Sequence, residues 1–156
     1  MSVTIGSQAP DFSLYNTNKE TVALSDAKGK NVLLLFFPLA FTSVCTAELC
    51  EVRDNIAAYN AVDATVYGIS VDSLYSLAAF KKDNQLSYDL LSDFNKEVSA
   101  SYGALYEQFG YGMKGVSKRA AFVIDKSGII RYAEVLENAG LTPDFVKISE
   151  TLKNLS

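Results

Sequence analysis

Residues 38–50 read PLAFTSVCTAELC and contain both cysteines of the 156-residue chain. They follow an unbroken apolar run from Val32 to Phe37, which predicts a strand buried on both faces. The proline that opens the segment ends that strand. Thr42 or Ser43 can then cap a helix that extends to about Asn60. This part of the sequence therefore predicts a buried strand that leads directly into a helix.

Cys45 falls in the first turn of that predicted helix. Backbone N–H groups in the first turn have no partners within the helix, and they lie at the positive end of the helix dipole. Both effects favour a thiolate, which is the reactive form of a cysteine side chain. Glu48 follows three residues later on the same side of the helix, where it also suits a capping arrangement. The sequence therefore predicts that Cys45 is a reactive nucleophile.

Cys50 lies five residues after Cys45, a spacing that does not fit a disulfide on a regular helix. Residues i and i+5 of a helix have Cα atoms roughly 8 to 9 Å apart. A disulfide needs a Cα separation below about 7 Å. A bridge therefore requires the beginning of the helix to unwind. Alternatively, Cys50 is a buried apolar residue, as free cysteines commonly are. The residues alone leave both interpretations open.

The length and composition of the chain indicate an ordinary globular protein. Its 156 residues fit one domain that covers 1–156, with 49% hydrophobic and 21% charged residues. The net charge of −4 and the absence of a Lys/Arg cluster argue against a nucleic-acid or anionic-membrane partner. The first five residues do not resemble a signal peptide, and no apolar run approaches the roughly 20 residues of a membrane helix. We therefore expect a cytoplasmic location.

The absence of histidine restricts the chemistry that the chain can perform. It excludes Cys-His and Ser-His catalytic pairs. A zinc site would need carboxylates beside two cysteines that are too close in sequence for the usual ligand spacing, so we predict neither a metal nor a cofactor. Two cysteines in a cytosolic-looking chain point instead to redox or catalytic use. Backbone, hydroxyl or arginine groups must then activate Cys45.

The remaining sequence alternates predicted strands and helices. Strands are predicted at 12–15, 21–24, 64–71, 88–91, 120–124 and 129–135, and helices at about 73–82 and 95–102. Thr142 as N-cap and Pro143 as first helical residue predict a last helix that ends near Leu155. This order predicts an α/β fold with a mixed central β-sheet flanked by helices.

The motif Pro38-x-x-x-Thr42-x-x-Cys45 resembles the signature of the peroxiredoxins. Residues 6–12, GSQAPDF, resemble the opening strand of that family, and residues 119–125, RAAFVID, resemble its late strand with the active-site arginine. The resemblance extends across the chain and implies a thioredoxin-like fold.

Two peroxiredoxin subgroups share further features with the chain. The spacing from Cys45 to Cys50 is similar to that of the Q-type subgroup, the bacterioferritin comigratory proteins. Residues 38–42, together with Glu48 and the pair at 53–54, are also similar to the E-type, one-cysteine subgroup. The two subgroups differ in the part that Cys50 would play.

The resemblance implies a role for each site residue. Cys45 would attack the peroxide, and Arg119 would stabilise both the thiolate and the oxyanion that develops. Thr42 would donate its hydroxyl near the sulfur and the peroxide. Glu48 would orient Arg119. Pro38 would shield the sulfur from bulk water, although the sequence by itself explains this proline as the end of a strand.

The resemblance also implies a catalytic cycle. Hydrogen peroxide or an organic hydroperoxide would convert Cys45 to a sulfenic acid, Cys50 would resolve it as an intramolecular disulfide, and an external thiol such as thioredoxin would reduce that disulfide. No cysteine follows Cys50, so the C-terminal resolving cysteine of the two-cysteine, obligate-dimer members is absent. The sequence leaves open whether the protein is a monomer or a homodimer.

Three alternatives compete with this cycle. In a one-cysteine peroxidase Cys50 would be inert and an external thiol would act directly on the sulfenic acid. A disulfide reductase of thioredoxin type would need Cys-x-x-Cys, whereas four residues separate the cysteines here. A non-catalytic redox sensor would use the bridge to change a partner surface and need not turn over.

Overall fold

A computed structural model of the chain describes residues 3–155. Met1, Ser2 and Ser156 lie outside the described residues. Met1 and Ser2 belong to the segment that we expect not to be a signal peptide. The strands are β1 (Ser13–Asn16), β2 (Thr21–Ala23), β3 (Asn31–Phe36), β4 (Ala64–Ser70), β5 (Asp89–Ser92), β6 (Arg119–Ile124) and β7 (Ile130–Leu136). The helices are α1 (Ser43–Asp54), α2 (Ile56–Ala61), α3 (Leu74–Asp83), α4 (Glu97–Ser101) and α5 (Phe145–Leu155).

The strands form one sheet in the order β2-β1-β5-β4-β3-β6-β7. The β3–β4 and β4–β5 pairs are parallel, and the other neighbours are antiparallel. The predicted mixed sheet with flanking helices is therefore confirmed. Within the described range, no helix combines the length and the hydropathy needed to cross a lipid bilayer.

Both faces of the sheet are covered, which explains the unbroken apolar sequence of β3. Leu33 and Leu35 face a core that contains residues of α1, α3 and α5. Val32, Leu34 and Phe36 face a second core on the opposite side of the sheet, which contains several aromatic rings. Since successive strand residues point to opposite faces, each apolar side chain of β3 is buried in one core or the other.

The register of the central strands brings three segments to one edge of the sheet. Parallel β3 and β4 pair Phe36 with Ile69, so their carboxyl ends lie side by side. Antiparallel β6 pairs Ala120 with Phe36, so β6 begins where β3 ends. Arg119, the first residue of β6, therefore lies beside the loop that leads from β3 into α1.

The predicted opening strand at residues 6–12 is wrong. This segment is irregular apart from a turn and an isolated bridge between Gln8 and Ile129, and β1 begins at Ser13. Gly6 has a φ of +93°, which is not a strand conformation, and Pro10 has no N–H to donate to a neighbouring strand.

The predicted helix from Ser43 to about Asn60 is two helices. Asn55 interrupts it with φ −109° and ψ 14°, and α2 begins at the following residue. The Asn55 side chain donates to the carbonyl of Glu51 at 2.8 Å. Asparagine side chains compete with the backbone for such partners and so disfavour helix interiors.

The start of the last helix also differs from the prediction. Helix α5 begins at Phe145, so neither Thr142 as N-cap nor Pro143 as first helical residue is correct. Instead the carboxylate of Asp144 accepts a hydrogen bond from the backbone N–H of Lys147 at 3.1 Å. A carboxylate binds first-turn N–H groups well, and the cap therefore moves to Asp144.

Candidate active site

Cys45 is the third residue of α1 and is buried. The first backbone bond of the helix runs from the N–H of Thr46 to the carbonyl of Thr42 at 3.0 Å. Cys45 therefore precedes the regular hydrogen-bond ladder, at the end of the helix where the dipole is positive. The local setting that the sequence predicts for this thiol is present.

A guanidinium joins this thiol to a carboxylate. Arg119 donates from Nη2 to the Sγ of Cys45 at 3.3 Å and from Nη1 to Oε1 of Glu48 at 2.6 Å. The three side chains are at most 1% exposed, although 71 residues separate Glu48 from Arg119 in the sequence. The fold thus brings together three of the predicted site residues in a buried cluster.

Burial determines the electrostatics of the Glu48–Arg119 pair. Burial raises the pKa of Glu48 to about 7, although the positive charge of Arg119 and its hydrogen bond oppose this shift. Oε2 of Glu48 is buried without a hydrogen-bond partner. Burial alone would lower the pKa of Arg119, but Glu48 and Cys45 outweigh it and raise that pKa above its ordinary value. Arg119 therefore stays a cation beside the thiol.

A backbone carbonyl completes the shell of Arg119. The oxygen of Ala139 accepts from Nη2 at 2.9 Å and from Nε at 3.2 Å. Ala139 lies in the turn between β7 and α5, where the Asn138 side chain accepts from the N–H of Gly140 at 2.9 Å. This contact could not be predicted from the sequence, because any residue type can supply a backbone carbonyl acceptor.

A second carboxylate holds the loop that precedes α1. Asp72 accepts from the N–H of Ala40 at 2.8 Å and from the hydroxyl of Ser70 at 2.7 Å. The next loop residue, Phe41, has a φ of +68°, which is unusual for an aromatic residue. Asp72 was not among the site residues predicted from the sequence. Its position directly after a buried strand that runs parallel to β3 was the signal that could have found it.

Pro38 and Thr42 lie at the two ends of this loop. Pro38 is buried, two residues beyond the end of β3. Thr42 is exposed and occupies the N-cap position of α1, but its side chain makes no capping bond. Its hydroxyl instead donates to the carbonyl of Leu39 at 2.7 Å. Thr42 therefore stands next to the first turn of α1, with its hydroxyl proton directed back at the loop.

Cys50 is half-buried and belongs to the regular part of α1. Both cysteines are free thiols. The Sγ of Cys50 donates to Oδ1 of Asn84, at the end of α3, at 3.6 Å. The continuous helix therefore separates the two sulfurs, and a disulfide between them requires part of α1 to unwind. In residues 3–155, no group of three or more acidic or sulfur side chains is arranged to hold a metal ion.

A buried cysteine at a helix start, next to an arginine on a mixed thioredoxin-like sheet, defines a cysteine-dependent redox enzyme. The chain matches the model of the AhpC/TSA family over residues 5–133, and it belongs to this family. It is a peroxiredoxin, a thiol-dependent peroxidase.

The named relatives of the chain include an alkyl hydroperoxide reductase and a putative peroxiredoxin. The chain is 40% identical to alkyl hydroperoxide reductase E of Mycobacterium tuberculosis over 136 aligned residues. The alignment covers 85% of this chain and 86% of the relative. The chain is also 40% identical over 141 residues to the putative peroxiredoxin ycf42 of Pyropia yezoensis, covering 84% of this chain and 68% of the relative.

Solved structures share the fold over nearly the whole chain. Peroxidoxin BcpB of Mycobacterium tuberculosis superposes with a TM-score of 0.86 at 29% identity, covering 99% of both chains. A peroxiredoxin-like protein from Aquifex aeolicus superposes with a TM-score of 0.89 at 22% identity, covering 100% of this chain and 90% of that one, a likeness of fold alone.

Proposed function

We propose that Cys45 is the nucleophile that reduces hydrogen peroxide or an organic hydroperoxide. The 3.3 Å contact between its sulfur and Arg119 carries the proposal, because it pairs the thiol with a buried cation. The thiolate attacks one peroxide oxygen, and the O–O bond breaks. The other oxygen leaves as hydroxide or alkoxide and takes up a proton to become water or an alcohol. Cys45 becomes a sulfenic acid.

The neighbouring residues act on the charges of this step. Arg119 stabilises the thiolate and then the leaving oxygen, since donors aimed at developing negative charge account for large rate effects. Glu48 orients Arg119 through its 2.6 Å hydrogen bond. The hydroxyl of Thr42 turns from Leu39 to the bound peroxide, and Pro38 keeps bulk water from the sulfur. The proposal assigns no part of this step to a metal or a cofactor.

Cys50 completes the cycle in this proposal. Its thiol attacks the sulfenic sulfur of Cys45, which forms the Cys45–Cys50 disulfide and releases water. Thioredoxin or a similar dithiol then reduces the disulfide and is itself oxidised. We place this cycle in the cytoplasm, where such reductants keep thiols reduced. The spacing of the two cysteines supports the assignment, provided that α1 unwinds.

Peroxide consumption with a thioredoxin system tests the proposal. We expect wild type to turn over, Cys45→Ser to be inactive, and Cys50→Ser to stop after one equivalent of peroxide. Mass spectrometry of wild type after one equivalent should find the intramolecular disulfide. Turnover in Cys45→Ser would refute the assigned nucleophile.

A one-cysteine peroxidase is the second candidate. The continuous helix α1 and the contact of Cys50 with Asn84 favour it, because both hold the second thiol away from the first. In this case an external thiol attacks the sulfenic acid of Cys45 directly. Cys50→Ser would then turn over at the wild-type rate, and no internal disulfide would form.

A further inference from the structure

The middle of α1 is fastened to the neighbouring elements by buried and half-buried hydrogen bonds. The hydroxyl of Tyr88, which precedes β5, donates to the carbonyl of Leu49 at 2.7 Å. Arg53 donates from Nη1 to the carbonyl of Asn84 at 2.6 Å. Cys50 lies between these two attachment points and itself contacts the Asn84 side chain. A disulfide requires α1 to unwind between Cys45 and Cys50, and these contacts hold the Cys50 end of that interval.

Tyr88 makes a permanent donor at this position. The residue is 5% exposed, and burial raises the pKa of its phenol above the ordinary value, so it keeps its proton at any working pH. The bond shares no donor or acceptor with the Cys45, Glu48 and Arg119 cluster. Its acceptor is the residue directly before Cys50, so it restrains the backbone at the point where the resolving thiol is attached.

Asn84 makes a fixed support for the other attachment. It is the C-cap of α3, and its side-chain amide donates to the carbonyl of Phe80 at 3.0 Å. Its backbone oxygen binds Arg53 while its side-chain oxygen accepts from Cys50. Movement of residues 50–53 therefore breaks contacts with a helix end that is itself held in place.

We propose that Tyr88 and Arg53 are positioning residues for the resolving step. They set how often α1 unwinds, and therefore how much of the oxidised Cys45 becomes disulfide and how much becomes over-oxidised product. This inference rests on the proposed function, in which Cys50 resolves the sulfenic acid. Neither residue is a group of the peroxide-reducing step.

Two reactions compete for the sulfenic acid of Cys45. In one, the thiol of Cys50 attacks the sulfenic sulfur, an S–S bond forms, and water leaves. In the other, a second peroxide molecule oxidises the sulfenic acid to a sulfinic acid and is reduced to water or an alcohol. The first reaction requires unwound α1, whereas the second proceeds from the folded helix. The strength of the attachment therefore decides the ratio of the two products.

Removing one attachment should change that ratio measurably. The net contribution of one intramolecular hydrogen bond corresponds to about a fivefold change in an equilibrium constant. Tyr88→Phe removes the hydroxyl and keeps the ring, so it should raise the population of unwound α1 about fivefold. Disulfide formation should accelerate by about the same factor, and the sulfinic fraction at high peroxide should fall.

Tyr102→Phe is a matched control. Tyr102 is also buried and also donates its hydroxyl to a backbone carbonyl, that of Pro10 at 2.6 Å. It belongs to the core on the opposite face of the sheet from α1. The control therefore loses a comparable bond without loosening α1, and its product ratio should equal that of wild type. Arg53→Gln should follow Tyr88→Phe, whereas Arg131→Gln, at an exposed ion pair, should not.

The experiment is rapid-quench mass spectrometry of each reduced variant with one and with 100 equivalents of hydrogen peroxide. It measures the rate of disulfide formation and the ratio of disulfide to sulfinic acid, and thermal unfolding confirms that each variant is folded. A product ratio in folded Tyr88→Phe and Arg53→Gln equal to that of Tyr102→Phe would overturn the inference. Absence of the internal disulfide from wild type would instead refute resolution by Cys50, and the inference with it.

Discussion

Glu48 and Arg119 form a hydrogen-bonded ion pair of 2.6 Å with both side chains buried, and the pair fixes the guanidinium beside Cys45. A guanidinium has donors in a rigid plane, so holding Nη1 on the carboxylate and Nε on the Ala139 carbonyl also fixes the direction of Nη2. The donor that meets the sulfur is therefore oriented before any peroxide arrives. Such preorganisation is worth more in a water-poor site than in solvent.

Arg119→Lys tests whether this geometry, rather than the positive charge alone, is required. Lysine keeps the charge but cannot bind Cys45, Glu48 and Ala139 in one plane. We expect the second-order rate constant for peroxide to fall about 100-fold, as measured by stopped-flow oxidation of the reduced protein. Arg131→Lys is the control, since Arg131 is an exposed residue of β7 paired with Asp125. A fall of less than threefold in Arg119→Lys would show that charge is sufficient.

Glu48→Gln tests the pH dependence of stability. Burial raises the pKa of Glu48 from 4.5 to about 7, so the folded protein holds a proton there that the unfolded chain has released between these two values. The Glu48 contribution to the free energy of unfolding is therefore complete below pH 4.5 and is lost as the pH rises to about 7.

Urea unfolding of wild type and Glu48→Gln between pH 4 and 8 measures this contribution. The variant cannot titrate at this position, so its stability relative to wild type should increase with pH up to about 7 and then level off. A difference that stays constant through this interval would contradict the raised pKa of Glu48.

The sequence predicted the parts of the site that depend on local pattern. The apolar run before Pro38 and the helix start before Cys45 are short-range signals, and β3 and the beginning of α1 follow them. The break of α1 at Asn55 is also local, but apolar periodicity hid it because residues on both sides continue the same stripe. Periodicity reports the buried face of a helix and not its continuity.

The contacts across the sheet edge could not be read from such patterns. Arg119 was assigned to the site by resemblance, and its distance from Cys45 depends on the antiparallel pairing of β6 with β3. The Ala139 carbonyl and the Asp72 carboxylate reach the site through a turn and a neighbouring strand. These contacts become visible only when strand order and register are known.

Asp72 gives a prediction about the loop between β3 and α1. Asp72→Ala removes the acceptor of the Ala40 N–H and of the Ser70 hydroxyl, and an unsatisfied buried group costs about 1 to 3 kcal/mol. We expect a lower melting temperature and a peroxide rate constant reduced by about tenfold or more, because small misplacements at a reacting centre have large effects. Asp72→Asn keeps an acceptor oxygen and should recover most of the rate. Equal rates in the two variants would show that the loop does not depend on this contact.

A substitution in the turn that carries Ala139 should lower the peroxide rate constant while leaving the free energy of unfolding nearly unchanged. Asn138 is exposed, and its side chain holds the N–H of Gly140 in the turn that presents the Ala139 carbonyl to Arg119. Asn138→Ala should change the free energy of unfolding by no more than about 0.5 kcal/mol, as surface substitutions generally do.

The same substitution should lower the peroxide rate constant by about threefold to tenfold, because Arg119 loses a fixed acceptor on the side opposite Glu48. Asn138→Asp keeps the accepting oxygen and should restore the rate. Asn18→Ala, at an exposed asparagine between β1 and β2, should leave both quantities unchanged. Stopped-flow oxidation and urea unfolding of the four proteins decide the point. A rate that follows stability in every variant would mean that the turn supports the fold and not the orientation of Arg119.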